Sequence, residues 1–276
     1  MAYKKILTIQ DISCVGQCSL TVALPILSAC GMETCILPSA VLSTHTAGFQ
    51  GFTFRDLTDD MPDIQAHWQK EGIKFEAIYT GYLGSVKQVG YVQNILDTMG
   101  TENCVRIVDP AMADNGQLYS IFNDEYVAAM RTLCASADIL LPNITEACFL
   151  ANMEYKETYD ESYIQALLEG LVKLGAKTIV LTGVSYAQGK TGVLVYEDGK
   201  SRYYEHDKVS KGCHGTGDVY ASAFTGALMN DKEIFEAAKI AADYTVKCIE
   251  NTQGDESHWY GAKFETALRD LIDMLA

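Results

Sequence analysis

No run of about 18 apolar residues occurs in the 276-residue chain, so no stretch is long enough to cross a bilayer as a helix. Basic residues are scarce. Lysine and arginine number 21 against 36 aspartates and glutamates, a formal net charge of -15, which excludes nucleic acid and anionic membranes as natural partners. The nine cysteines (14, 18, 30, 35, 104, 134, 148, 213 and 248) include no C-x-x-C pair, so neither a disulfide framework nor a structural zinc site is expected. Reduced, mostly core cysteines fit better, with Cys213 alone lying beside a glycine turn where a thiol could touch a ligand. There is also no internal repeat, no low-complexity tract and no linker. The lysine-bearing N-terminal stretch has too short an apolar run for a signal peptide and reads as a first strand. The expectation is one cytoplasmic α/β domain spanning 1–276, large enough to bury a full core.

What is present is a rhythm. Short β-type runs alternate with helical lengths, the pattern of crossover units around a mostly parallel sheet. Strands are expected at 4–10, 33–38, 76–80, 104–108, 139–141 and 178–182. Helices are expected at 19–30, 64–71, 85–99, 124–136, 143–152, 161–174, 215–229, 232–250 and 263–275. Between 192 and 206 the alternating runs around Asp198-Gly199 predict a hairpin.

The stretch from Gly212 through Gly215-Thr216-Gly217-Asp218 to Phe224 carries the strongest chemical signal. Two glycines ahead of a helix of small residues leave backbone N–H groups free to hold an anion. A carboxylate at that anion site suits a base taking the proton of an alcohol during phosphoryl transfer. Taken alone, the same residues also describe an ordinary tight turn with Asp218 as a helix cap.

In open α/β sheets ligands collect beyond the carboxyl ends of the strands. Asp11, Thr80-Gly81-Tyr82, Asp109-Pro110, Asn143-Ile144-Thr145-Glu146 and Thr182-Gly183 all fall there. Asn143 and Glu146, three residues apart, share a face of a first helical turn. With Asp109 they could hold a hydrated magnesium ion, and they also fit a capping box; both can be true together. Backbone amides and divalent cations are how so acidic a chain would neutralise phosphates.

Gly183 to Thr191 imitates a Walker A loop, but five residues separate its glycines and a strand follows, so a phosphate cradle is excluded. The polar, aromatic loop Leu42 to Phe52 could close over a small planar substrate, with His45 either an acid–base group or a packing residue. Trp68 and Trp259 lie in polar helical surroundings and read as structural.

Together these residues resemble the pyridoxal kinase branch of the ribokinase-like small-molecule kinases, nearly end to end. The resemblance is carried by Ile9-Gln10-Asp11 with Gly16, Ser43-Thr44-His45-Thr46, Thr80-Gly81-Tyr82-Leu83-Gly84-Ser85, Val108-Asp109-Pro110, Pro142 to Glu146, and Gly215 to Asp218. It implies a three-layer α/β/α sandwich with a central mostly parallel sheet, a homodimer, magnesium and ATP, and a potassium ion near the nucleotide. It implies phosphorylation of the 5'-hydroxymethyl group of pyridoxal, pyridoxine or pyridoxamine, with Asp218 as base and the Gly215, Thr216 and Gly217 amides as anion hole. By the same resemblance Asp109, Asn143 and Glu146 organise magnesium and the ATP phosphates, Thr182 touches phosphate, and Tyr119 lies in a flap over the nucleotide. Asp11, Thr46, Tyr82 and His45 would line the pocket for the pyridine ring. The chain departs from the pattern at Asp11, where many pyridoxal kinases carry serine; a carboxylate there could pair with a protonated ring nitrogen or the amine of pyridoxamine. A hydroxymethylpyrimidine kinase of the same fold and a vitamer-binding protein without turnover are the alternatives.

Overall fold

The computed structural model describes residues 3–209 and 213–276. Gly212, at the head of the glycine stretch, lies outside the described residues. A nine-stranded sheet runs through the structure, built from β1 (Lys5–Ser13), β2 (Glu33–Leu42), β3 (Phe54–Asp56), β4 (Phe75–Thr80), β5 (Gly100–Val108), β8 (Ile139–Leu140), β9 (Thr178–Val184), β10 (Lys190–Glu197) and β11 (Lys200–Asp207). Its order is β11-β10-β9-β8-β5-β4-β1-β2-β3. The remaining strands, β6 (Ala113–Asp114) and β7 (Gln117–Leu118), form a small separate hairpin. Pairings from β2 through β1, β4, β5 and β8 to β9 are parallel, and the antiparallel pairings sit at the two ends.

The central strands are apolar on both faces because successive side chains point to opposite sides and helices cover each. Leu7, Ile9, Ile78, Val108, Ile179 and Leu181 face one core; Ile6, Ala77, Tyr79, Ile107 and Val180 face the other. The first core packs α3 (Val86–Thr98), α4 (Asp124–Ala135), α5 (Ile144–Ala151) and α6 (Glu161–Leu174), flanked by α2 (Met61–Lys70). The second packs α1 (Leu20–Ala29), α7 (Thr216–Met229), α8 (Ile234–Thr252) and α9 (Leu268–Leu275). The result is the expected three-layer α/β/α sandwich.

The β10–β11 hairpin turns at Asp198 (φ 50) and Gly199 (φ 76), the two left-handed residues that a type I′ turn requires. Several expectations shift, β2 running on to Leu42 and β5 starting at Gly100 among them. β1 runs on to Ser13 with a register break between Gln10 and Ile12, so Asp11 sits at an irregularity inside the strand rather than beyond it. The expected last helix is a 3-10 turn, Phe264–Ala267, followed by α9. Neither β3 nor the β6–β7 hairpin is expected from the sequence, since these strands of three and two residues are too short to show a period.

Candidate active site

The carboxyl ends of β1, β4 and β5 lie side by side. The Gly81 N–H donates to the Ile9 carbonyl at 3.1 Å and the Asp109 N–H to the Thr80 carbonyl at 3.0 Å. Above them α7 begins at Gly215, which adopts φ 74 and whose absent Cβ would fall deep inside contact with the Gln17 carbonyl oxygen. Glycine is required there on both counts. The first helical bond runs from the Val219 N–H to the Gly215 carbonyl at 3.0 Å, and no side chain caps the helix. The N–H groups of Thr216, Gly217 and Asp218 therefore project ahead of the first turn, with nothing within 4 Å of a Cβ built on Gly217.

Asp218 lies in that first turn. Burial pushes its carboxyl up to about 7; a hydrogen bond from the Ser19 amide opposes the shift and the negative charge of Asp11 adds to it. Asp11 is buried and accepts hydroxyl bonds from Ser19 at 2.5 Å (Oδ1) and Ser13 at 3.0 Å (Oδ2). Its carboxyl is also raised, chiefly by burial. Tyr82 adjoins Asp11, and burial first and that charge second push its phenol up.

On the other side Asn143 and Glu146 form the capping box. The Glu146 N–H donates to Asn143 Oδ1 at 2.9 Å and the Asn143 N–H to Glu146 Oε2 at 2.9 Å. Glu146 Oε1 also accepts the Met112 N–H at 3.2 Å, and Asn143 Nδ2 donates to the Ala113 carbonyl at 2.9 Å. The box thus ties α5 to the segment entering the β6–β7 hairpin. Burial raises Glu146 to about 7, and burial plus the charges of Glu146 and Asp218 hold Asp109 well above the carboxylate range. Thr182 pairs with Asn143 across a parallel bridge, its N–H donating to the Pro142 carbonyl at 2.9 Å. Tyr119 follows the hairpin, 41% exposed as a residue; burial of its phenol first, and the charges of Glu146, Asp109, Asp114 and Asp218 after it, disfavour its ionisation.

Among the described residues no lysine or arginine forms an ion pair with Asp11, Asp109, Glu146 or Asp218. Nor are three His, Cys, Asp or Glu side chains grouped among them as a cation cage. Both Glu146 oxygens and Asn143 Oδ1 already accept backbone N–H bonds, so these groups and the buried Asp109 fit magnesium held through its water shell rather than by direct ligation.

His45 has no nitrogen to spare. The Ala47 N–H donates to Nδ1 at 3.2 Å, which leaves the proton on Nε2, and Nε2 donates to the Tyr260 carbonyl at 2.7 Å. Burial lowers its pKa, and its ring packs over Gly16 and lies 5.6 Å from that of His214. The packing reading of His45 is the one its hydrogen bonds favour. Thr46, next along, is exposed. Trp68 packs edge-on against Phe75 at the core. Trp259 follows a 3-10 turn instead of lying in a helix; its ring is 4.6 Å from that of Phe49 and seals the Gly48 backbone, so the C-terminal segment holds the 42–52 loop. Cys213 is half-buried, its carbonyl accepting from Thr216 Oγ1 at 3.4 Å. Ser19 and Phe122, whose ring lies 5.6 Å from that of Tyr82, belong to the site without a sequence signal beyond a helix start and an aromatic residue.

The family described as phosphomethylpyrimidine kinase matches residues 24–261. The chain belongs to that family. Among solved structures, a candidate phosphomethylpyrimidine kinase of Bacteroides thetaiotaomicron, crystallised with pyridoxal, is 37% identical with a TM-score of 0.91, over 98% of this chain and 96% of that one. The pyridoxal kinase of Lactobacillus plantarum is 30% identical with a TM-score of 0.91, over 98% and 97%. The hydroxymethylpyrimidine/phosphomethylpyrimidine kinase of Bacillus subtilis is 27% identical over 78% of each chain. The resemblance to the pyridoxal kinase branch and the ribokinase-like fold therefore hold, while the family spans both pyridine and pyrimidine substrates. Among the described residues, no helix is long and apolar enough to cross a membrane.

The raised carboxyls set a pH dependence. Asp11, Asp109, Glu146 and Asp218 bind protons more tightly folded than unfolded, so the ligand-free protein loses stability as pH rises from about 4 to about 7. His45, whose pKa burial lowers from 6.5, acts in the opposite sense within that window but is one group against four, and exposed aspartates with lowered pKa, such as Asp207 and Asp231, do so only below 3.8. Thermal unfolding of the ligand-free protein is expected a few degrees higher at about pH 5.5 than at about pH 8. A flat or rising Tm over that range would contradict the burial of these groups.

Proposed function

We propose that this family member is an ATP-dependent kinase that phosphorylates the 5'-hydroxymethyl group of a vitamin B6 vitamer. The observation that carries the reading is Asp218, a carboxyl raised to about 7 in the first turn of an uncapped helix, between the open amides of 216–218 and the Asp11–Tyr82 pocket. A base with a pKa near the working pH is suited to taking a proton from an alcohol. As Asp218 removes the hydroxyl proton, the amides of Thr216 and Gly217 stabilise charge on the transferring phosphoryl group. Asp109, Asn143 and Glu146 would hold magnesium through its water shell, and the bound ion would screen the phosphate charge. Thr182 and Tyr119 flank that side and would touch the nucleotide.

Asp11, Tyr82 and the loop bearing His45 and Thr46 would line the ring pocket. Asp11 has hydroxyl donors on both oxygens but no cation, so a cationic vitamer would complete it. Pyridoxamine or pyridoxine is then used at least as well as pyridoxal. The pyrimidine reading is favoured by the family match and the Bacillus subtilis relative.

The test is ADP release with magnesium-ATP and each of pyridoxal, pyridoxine, pyridoxamine and hydroxymethylpyrimidine, on the parent and on Asp11→Ser. Turnover of the vitamers is expected, with Asp11→Ser lowering kcat/KM for pyridoxine and pyridoxamine relative to pyridoxal. Product from the pyrimidine alone would overturn the B6 assignment, and tight binding without ADP would overturn catalysis. Equal kcat/KM values in parent and variant would remove Asp11 from vitamer choice.

A further inference from the structure

Three glycines far apart in the chain meet two consecutive residues ahead of α1. The His45 ring lies where a Cβ on Gly16 would be, and the Gln17 carbonyl oxygen where one on Gly215 would be. Gly261 is the third. A Cβ built on it falls inside contact with Gln17 Cβ, 2.7 Å from Cγ and 3.0 Å from the backbone nitrogen. Gly16 and Gly215 are left-handed, at φ 116 and 74, but Gly261 is not, so it answers the close approach of another backbone rather than a turn. The neighbours of this contact are fixed. The Tyr260 carbonyl accepts from His45 Nε2 at 2.7 Å, the Trp259 ring covers Gly48 and Phe49, and Gln17 Nε2 donates to Glu265 Oε1 at 2.7 Å. Thr21 Oγ1 lies 3.1 Å from the Gly16 carbonyl and 2.7 Å from that of Cys18, tying this segment to α1 while the Gln17 carbonyl between them faces Gly215.

We propose that Gln17 is a positioning residue, wedged between Gly261 and Gly215, through which the docked C-terminal segment sets the place of the amides that open α7. Consecutive residues of that segment then govern both sides of the reaction. Tyr260 holds the loop at the ring pocket, and Gly261 holds the anion hole by way of Gln17. The contacts on Gln17 are made by its Cβ and backbone atoms, which cannot swing aside as a side-chain tip can, so a shift at Gly261 is passed on to Gly215.

The proposal rests on the reading of those amides as the anion hole, and two readouts keep the two apart. Gly261→Ala sets a methyl against Gln17 Cβ without asking a left-handed backbone of the new residue. With the full-length enzyme, assayed well below its Tm, kcat is expected to fall about tenfold to a hundredfold. Hydrogen exchange at the Val219 N–H, which closes the first turn of α7 on the Gly215 carbonyl, should quicken about tenfold. Gln17→Gly removes the Cβ and Cγ that the methyl meets. In that background Gly261→Ala should cost about threefold or less by either readout. A merely structural Gly261 would lower Tm and leave both readouts of the folded enzyme where they were.

Parent-like exchange at Val219 in Gly261→Ala would overturn the proposal, whatever its kcat. So would a change undiminished by Gln17→Gly, which would route the disturbance past Gln17. Quickened exchange with a parent-like kcat would uphold the wedge and overturn the anion-hole reading. If the parent releases no ADP with any of the four alcohols, the kinase reading fails, and the exchange rates alone uphold or overturn the wedge.

Discussion

Asp218→Asn is expected to lower kcat by roughly 10²-fold or more while leaving the fold intact. The substitution keeps the size of the side chain and its place in the first turn of α7. What it removes is the capacity to take a proton. Stability should be unchanged or slightly raised, because a group whose charged form is disfavoured by burial has been made neutral. The parent supplies a second readout from the same residue. With its carboxyl near 7, Asp218 is increasingly protonated as pH falls below that value, so kcat/KM should drop about tenfold per unit on the acid side. The variant's residual rate should lose that limb. Near-normal turnover, or an acid limb retained by Asp218→Asn, would take Asp218 out of the proton transfer and leave the helix N-terminus as an anion site alone.

How much of this was legible in the chain differs from element to element. The parallel core was readable because Ile6 to Ile9, Ala77 to Tyr79 and Ile179 to Leu181 are apolar on both faces, and only a sheet covered on both sides asks for that. Asn143 and Glu146 were readable because a capping box is a local device, complete within four residues. The relation between Asp11 and Asp218 was not readable from spacing. It depends on the fold bringing the irregular end of β1 beside the start of α7, and such an irregularity has no signature in residue type. The docking of Trp259 and Tyr260 on the 42–52 loop was likewise hidden. Those contacts join segments more than 200 residues apart in sequence, through the Tyr260 carbonyl that accepts from His45 and the Phe49 ring beside those of Trp259 and Tyr260. Residues that act within one turn of chain announce themselves, whereas residues that act by meeting a distant segment do so only in the folded structure.

The second large effect belongs to Gly215. Gly215→Ala should abolish most turnover, on the order of 10²-fold or more, and should also destabilise the protein. Two costs coincide. A left-handed backbone at φ 74 disfavours any residue with a Cβ by about 1–2 kcal/mol. The new methyl would also fall on the Gln17 carbonyl oxygen, with Cys18 Sγ only 3.3 Å away, and a backbone carbonyl cannot swing aside as a flexible side chain can. The start of α7 must therefore move, carrying the amides of 216–218 and Asp218 with it. A displacement near 1 Å at reacting groups is enough to lose about 10²-fold in rate. Gly217→Ala is the matched control for stability, since nothing lies within 4 Å of its added methyl. Its Tm should stay near the parent's, apart from any helix-propensity gain, while the methyl intrudes on the space ahead of the amides and raises KM for ATP. Equal Tm values for Gly215→Ala and the parent would show that the turn yields without strain. Unchanged kinetics in Gly217→Ala would mean that phosphate does not approach α7 from the side on which the structure leaves it open.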